Sequence, residues 1–289
     1  MKKIPNNIDG FIRYSKKPNT IVKPAYLYTK VFHFNTNNKY KDRTIRVYLP
    51  STYEFNNPNK RFKVIYMFDG KNLFDDYTSF VGEWHVDETI ERYIQEGKSE
   101  GIIVVGIDAP NDGHDRSMEM LPYDLRFIRD GEAFGKPYGK KLGKFVFETV
   151  KHVIDSTFYT LSDKDNTAIG GSSMGGLMAF YCGVEYRDLV GFTISFSPAF
   201  MCYKRSVFNN YVKDLLKDID DLGKIYFFTG DQELDKIIAP GTLAVYRIMT
   251  RLGYNKNDVK LLYDSSKPHH ESAWSEYFPD ALKFWLLDK

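Results

Sequence analysis

The sequence predicts an α/β fold: a mostly parallel central sheet with helices on both faces and an antiparallel N-terminal edge. Three observations predict it. From about residue 62 onward, short apolar runs alternate with longer segments of helical spacing. The runs 62–68 and 101–107 are almost continuously apolar, as strands buried on both faces are. The stretch from Thr167 to Tyr181 begins apolar, breaks at small residues and resumes with helix formers. Within it Gly171-Ser172-Ser173-Met174-Gly175 fits G-x-S-x-G, the pattern of a nucleophile elbow, where a strand turns sharply into a helix and lifts a serine hydroxyl out of the sheet.

Taken in order, residues 1–24 are polar and read as a loose lead-in, and residues 25–289 read as one domain. Strands are expected over 26–34 and 44–49, joined by an Asn/Lys-rich hairpin turn and ended by Pro50. The strand 62–68 stops at Asp69-Gly70-Lys71-Asn72, and 86–94 has helical spacing with Gly97 as a stop. After the strand 101–107 comes a long irregular segment, 108–138; loops of that length in a compact domain are usually functional. The segment 140–158 is an amphipathic helix with Leu142, Phe145, Val146, Val150, Val153 and Ile154 on one face. Beyond the elbow, strands are expected over 190–196, 224–229 and 259–263, and helices over 206–216, 242–252 and 272–287, with a kink or restart at Pro279.

Composition narrows the function. A chain of 289 residues, 43% hydrophobic and 16% aromatic, is enough for one α/β domain with a large core. Forty Lys and Arg against 38 Asp and Glu leave a net charge of +2, with the signs interspersed. That gives no argument for a nucleic-acid or membrane partner. Cys182 and Cys202 belong to no C-x-x-C or Cys/His cluster, so neither a metal site nor a disulfide framework is suggested, and both are expected reduced and buried. The N-terminus carries charge with no apolar run behind it, and no stretch of 18 apolar residues exists. A cytoplasmic protein with no cofactor and no metal is expected.

A serine hydroxyl is a weak nucleophile that needs a base, and the base needs an orienting acid. With a nucleophile elbow the chain order is nucleophile, acid, histidine, each at a strand end. His269 and His270 lie downstream of Ser173, just after the last strand, and Gly230-Asp231-Gln232-Glu233-Leu234-Asp235 follows the strand before it. The developing oxyanion would be held by the backbone N–H of Met174, directly after the nucleophile, and by one from the loop after the strand 62–68.

At these residues the sequence resembles the putative-esterase family of α/β-hydrolases, which includes enterochelin-esterase-like proteins, esterase D and feruloyl and acetyl-xylan esterases. The matching motifs are Tyr66-Met-Phe-Asp-Gly-Lys-Asn-Leu-Phe74, Trp84-His-Val-Asp-Glu88, Arg116-Ser-Met-Glu119, Gly170-Gly-Ser-Ser-Met-Gly-Gly176 and His269-His-Glu-Ser-Ala-Trp274. The resemblance covers roughly residues 40–287 and implies an α/β-hydrolase fold and a Ser-Glu-His triad. A pattern similar to H-x-E-x-x-W selects His269 over His270, and one similar to G-x-x-E/D selects Glu233, with Asp231 as the alternative acid. The resemblance places the second oxyanion N–H at Lys71. Trp84, Arg116 and Tyr123 are candidate substrate-binding residues, and Arg116 could instead pair with Glu119 to brace the long loop.

The function expected is a serine carboxylic-ester hydrolase acting through an acyl-enzyme on a small acyl or oligosaccharide ester. Two alternatives carry the same sequence features: an acyltransferase in which an alcohol replaces water, and a non-catalytic hydrolase fold that binds carbohydrate or protein.

Overall fold

In the computed structural model, residues 4–14, 25–36, 40–123, 125 and 137–287 are described. The parallel strands are β5 (Lys63–Phe68), β6 (Ile102–Ile107), β7 (Thr167–Ser172), β8 (Phe192–Phe196), β9 (Lys224–Thr229) and β10 (Val259–Tyr263). They are preceded by β1 (Asn7–Ile8), β2 (Phe11–Arg13), β3 (Tyr26–Asn35) and β4 (Tyr40–Leu49), which pair antiparallel, and β4 joins the rest by an antiparallel pairing with β6. The ten strands form one sheet in the order β1-β2-β3-β4-β6-β5-β7-β8-β9-β10.

Side chains of the central strands alternate between two cores, as the two-residue period of a strand requires. Val64, Tyr66 and Phe68 of β5 enter one core, and Ile65 and Met67 enter the other. The first core is closed by a helical stretch that runs from α3 (Gly139–Lys144) through a π-helical turn (Phe145–Val150) into α4 (Lys151–Thr157), together with α5 (Met174–Glu185), α6 (Arg205–Leu216) and α7 (Asp235–Arg251). The second is closed by α1 (Val86–Gln95) and α8 (Glu271–Leu286), through residues such as Ile90, Trp274 and Phe278. Helices therefore cover both faces, as expected.

The structure corrects three expectations. The lead-in carries β1 and β2, which extend the sheet; Asp9 and Gly10 both take positive φ (47° and 85°) and form the tight turn between them. The segment 108–138 is not wholly irregular, since α2 (Gly113–Glu119) lies within it, capped by the Asp112 side chain accepting from the Asp115 N–H; residues 124 and 126–136 lie outside those described. The last long helix before β10 begins at Asp235, not at residue 242, because Pro240-Gly241 is accommodated inside it. Gly241 there lets the helix approach Phe200, whose Cβ is 3.2 Å from where a Cβ on residue 241 would stand. Pro279 likewise sits inside α8 without ending it.

Candidate active site

The elbow is built as its small residues demand. Ser173 has φ 56° and ψ −121°, a strained conformation for any residue but glycine. The surrounding backbone holds it there. Its N–H donates to the Phe196 carbonyl (2.9 Å), and its own carbonyl accepts from the N–H groups of Leu177 (3.0 Å) and Ala199 (2.9 Å). A Cβ on Gly171 would lie 2.6 Å from the Gly175 carbonyl oxygen, and one on Gly176 would lie 2.6 Å from that of Phe196, so neither position admits a side chain. Ser173 thus stands at the N-terminus of α5, where backbone N–H groups lack intrahelical partners.

The carboxylate that meets His269 is Asp235, not Glu233 or Asp231. His269 Nδ1 lies 2.7 Å from Asp235 Oδ1, the Asp235 side chain is fully buried, and that of His269 nearly so. The second Asp235 oxygen accepts from the Ser197 hydroxyl (2.8 Å) and from the Gly230 N–H (2.8 Å). The Trp274 indole N–H donates to Ser197 Oγ (3.2 Å), and the indole packs edge-on to the His269 ring at 5.0 Å. Ser197, itself at φ 40° just after β8, is a network member that the sequence reading missed. Glu233 is exposed, at φ 52° in the turn before α7. Asp231 accepts from the Tyr263 hydroxyl at 2.8 Å. Both expected acids fail for one reason: the helix starts earlier than its Pro-Gly pair suggests, so Asp235 sits in the first turn facing inward while residues 231 and 233 remain in the turn outside it. The turn is stitched to the histidine loop, since the N–H groups of Asp231 and Gln232 donate to the Lys267 carbonyl (3.2 and 3.1 Å). His270, the histidine that the H-x-E-x-x-W-like pattern passes over, is the N-cap of α8; its Nδ1 accepts from the Ser272 N–H at 3.1 Å.

Lys71 lies in a single 3-10 turn (Gly70–Asn72) directly after β5, entered by Asp69 in a left-handed conformation (φ 58°). The turn packs tightly on β6: a Cβ on Gly70 would be 2.7 Å from the Gly106 carbonyl carbon. The Lys71 ammonium donates to Asn111 Oδ1. Asn72 Nδ2 donates to Glu271 Oε1 (3.1 Å), which ties this turn to the start of α8, and burial raises the Glu271 carboxyl above its ordinary range.

The remaining candidates are placed elsewhere. Trp84 is 2% exposed, stacked on Phe196 and packed against Trp274 and Phe278, within the core. Tyr123 is also 2% exposed, ringed by Tyr181, Tyr203, Phe208 and Tyr211. Arg116 does not pair with Glu119. Its Nε and Nη2 grip the two oxygens of Asp69 (2.7 and 2.8 Å). Glu119 pairs with Arg43 (2.6 Å) in a buried contact. Two groups bring potential metal-ligand atoms within 4.8 Å of one another, Glu83–His85–Glu88 and Asp112–His114–Asp115. In the first, His85 Nδ1 lies 2.7 Å from Glu83. Cys182 and Cys202 are free and buried. Among the described residues, no helix is long and apolar enough to cross a membrane.

Six parallel strands in a ten-strand mixed sheet, helices on both faces and a strand–turn–helix elbow at Ser173 make the fold that of an α/β-hydrolase. Residues 37–284 match the family described as "Putative esterase", and the chain belongs to that family, whose class is the carboxylic ester hydrolases. The fold is similar to that of the siderophore hydrolase EstB from Aspergillus nidulans (17% identity, TM-score 0.67, covering 95% of this chain and 100% of that one). It is also similar to a ferulic acid esterase from Anaeromyces mucronatus (17%, 0.61, 97% and 99%). An S-formylglutathione hydrolase from Agrobacterium tumefaciens is similar as well (16%, 0.60, 98% and 99%).

Proposed function

We propose that this ester hydrolase works through an acyl-enzyme, with Ser173 as nucleophile, His269 as general base and Asp235 as the orienting acid. The observation that carries the proposal is the 2.7 Å contact between His269 and the fully buried Asp235, supplied by the loops after the last two parallel strands to a sheet whose elbow carries Ser173. Asp235 accepts a hydrogen bond from the Nδ1–H, holding the proton on Nδ1 and leaving Nε2 with a lone pair for the serine hydroxyl. Ser173 Oγ attacks the ester carbonyl carbon while His269 takes its proton. The N–H groups of Met174 and Lys71 receive the negative charge that moves onto the carbonyl oxygen. Collapse expels the alcohol, which takes its proton from His269. Water then repeats the sequence on the acyl-serine, releasing the acid and restoring Ser173. Small acyl or carbohydrate esters are the substrates that this reading favours, in keeping with the siderophore and ferulic acid esterases whose folds the chain shares.

A fluorophosphonate probe should label the wild-type protein once, at Ser173, and p-nitrophenyl acetate should be hydrolysed. Ser173→Ala should lose both, with kcat lower by on the order of 10⁵–10⁶ and an unchanged circular dichroism spectrum. Near-wild-type turnover by that variant would remove the assignment.

A further inference from the structure

The turn that carries Lys71 and the helix that carries Met174 are separate elements, and one side chain lies against both. Asp69 enters the turn in a left-handed conformation, and its carbonyl accepts from the Asn72 N–H (2.9 Å). Its carboxylate reaches across to α5: a Cβ on Gly175 would stand 3.0 Å from Asp69 Oδ2. A carboxylate that close to the N-terminus of α5 sits within one residue of Met174, beside the position where negative charge develops on the substrate. Unpaired, it would oppose that charge, and in a poorly solvated site the opposition is strong. It is paired. The Arg116 fork binds both oxygens, at 2.7 and 2.8 Å, in the bidentate geometry that fixes a carboxylate in plane as well as neutralising it.

We infer that Asp69 and Arg116 form a clamp that positions the two halves of the oxyanion hole and cancels the carboxylate charge beside it, so Arg116 is a positioning residue for the transition state and not a substrate ligand. The remaining contacts of the turn support a built device. Behind it, Gly70 packs on Gly106 and within 2.8 Å (from a Cβ) of Asp108 Oδ1, and Asp108 is itself held by a bidentate Arg46 (2.7 and 3.0 Å). On the far side Asn72 bonds Glu271, two residues from His269. Arg116 and Asn111 both reach the turn from the long segment, Arg116 through the Asp69 carboxylate and Asn111 through the Lys71 ammonium; α2, which carries Arg116, is the one helix among the described residues between β6 and α3. Through Arg116 the described part of that segment is coupled to the turn that carries Lys71. The residue types matter for distinct reasons. Lysine at 116 would keep the charge but not the fork. Alanine would leave Asp69 both mobile and charged.

This inference rests on the Ser173 reading, and the experiment separates the two. Wild type, Arg116→Lys, Arg116→Ala and the double variant Asp69→Asn/Arg116→Ala are titrated with a fluorophosphonate to count reactive serines. They are then assayed on p-nitrophenyl acetate and inhibited with an aryl trifluoromethyl ketone, which forms a tetrahedral adduct on a serine. Arg116→Ala should lose on the order of 10²–10³ in kcat, the scale of a lost oxyanion donor, with KM within roughly threefold of wild type. The ketone inhibition constant should rise in parallel with the fall in kcat/KM. Removing the stranded charge in the double variant should restore kcat at least roughly tenfold over Arg116→Ala, a non-additivity that loss of packing alone would not produce. Arg116→Lys, checked by circular dichroism, should fall between wild type and Arg116→Ala. A kcat within roughly threefold of wild type for Arg116→Ala, at equal labelled Ser173, overturns the clamp alone. So does a double variant no faster than the single one, or a loss confined to KM. A wild-type protein that the probe does not label at Ser173 overturns the triad reading instead, and the clamp with it.

Discussion

Replacing Asp235 by asparagine tests the acid assignment at one atom. Asp235 Oδ2 accepts from the Gly230 N–H and the Ser197 hydroxyl, both at 2.8 Å. A backbone N–H can only donate, so this side of the new amide must remain oxygen. The amide NH2 is then forced toward His269 Nδ1, at the 2.7 Å contact that Oδ1 makes now. Facing a donor, Nδ1 must become an acceptor, which puts the imidazole proton on Nε2. That tautomer cannot take the proton of Ser173. The cost should be about 10⁴ in kcat, as for the same change in other serine triads. Stability should change little, because Gly230 and Ser197 keep their partner. By contrast, Glu233→Gln and Asp231→Asn alter exposed or peripheral groups and should leave kcat within roughly threefold. The assay is p-nitrophenyl acetate hydrolysis beside melting temperature for all three variants. A large loss in Glu233→Gln with Asp235→Asn near wild type would refute the reasoning outright.

Further expectations follow from neighbouring contacts. His269→Ala should abolish turnover, whereas His270→Ala should keep it and lose about 1 kcal/mol of stability, because the His270 ring caps α8; steady-state rates and urea unfolding of both variants check this. Tyr123→Phe should leave kcat unchanged and hold or raise the melting temperature, since the buried Tyr123 hydroxyl has no hydrogen-bond partner among the described residues; a fall in kcat/KM would return Tyr123 to the substrate site. Burial raises the Glu119 carboxyl from 4.5 to about 7, with Arg43 pulling the other way. Its folded pKa lies above its unfolded one, so the native state binds the extra proton between those values, and stability falls as pH rises from about 4.5 through about 7. Glu119→Gln has no such proton, and the variant should gain on wild type over that interval by about 3 kcal/mol at most; parallel pH profiles in urea unfolding would contradict the shift.

The strand and helix pattern was legible because central strands bury both faces and helices only one, and β9 and β10 fall on the residues that their apolar runs indicate. The elbow turn at Ser173 was legible as a run of small residues between a strand and a helix, and His269 as a histidine after the last strand. The carboxylate that meets His269 was not. Asp235 stood in the quoted segment, but Pro240-Gly241 reads as a helix break, and the break hid the helix whose first turn aims Asp235 inward. Ser197 had no sequence signal beyond its place after a strand. The role of Arg116 depended on a partner 47 positions away, and that of Glu119 on one 76 positions away, and no spacing rule spans such distances. Asp9-Gly10 was a signal present and unread: a tight-turn pair between short apolar pieces.

The parts of this site do not share one depth in the sheet. Ser173 hangs from β7, flanked on both sides by paired strands, whereas His269 follows β10, the outermost strand, most of whose side chains are only partly buried. Margins of a sheet open at lower free energy than its middle. Fraying of β10 would therefore draw away His269, the base in the reading proposed above, while the elbow stays folded. On that reading the molecule would fall silent as an enzyme without ceasing to be a folded protein, and would regain its chemistry when a single strand re-pairs.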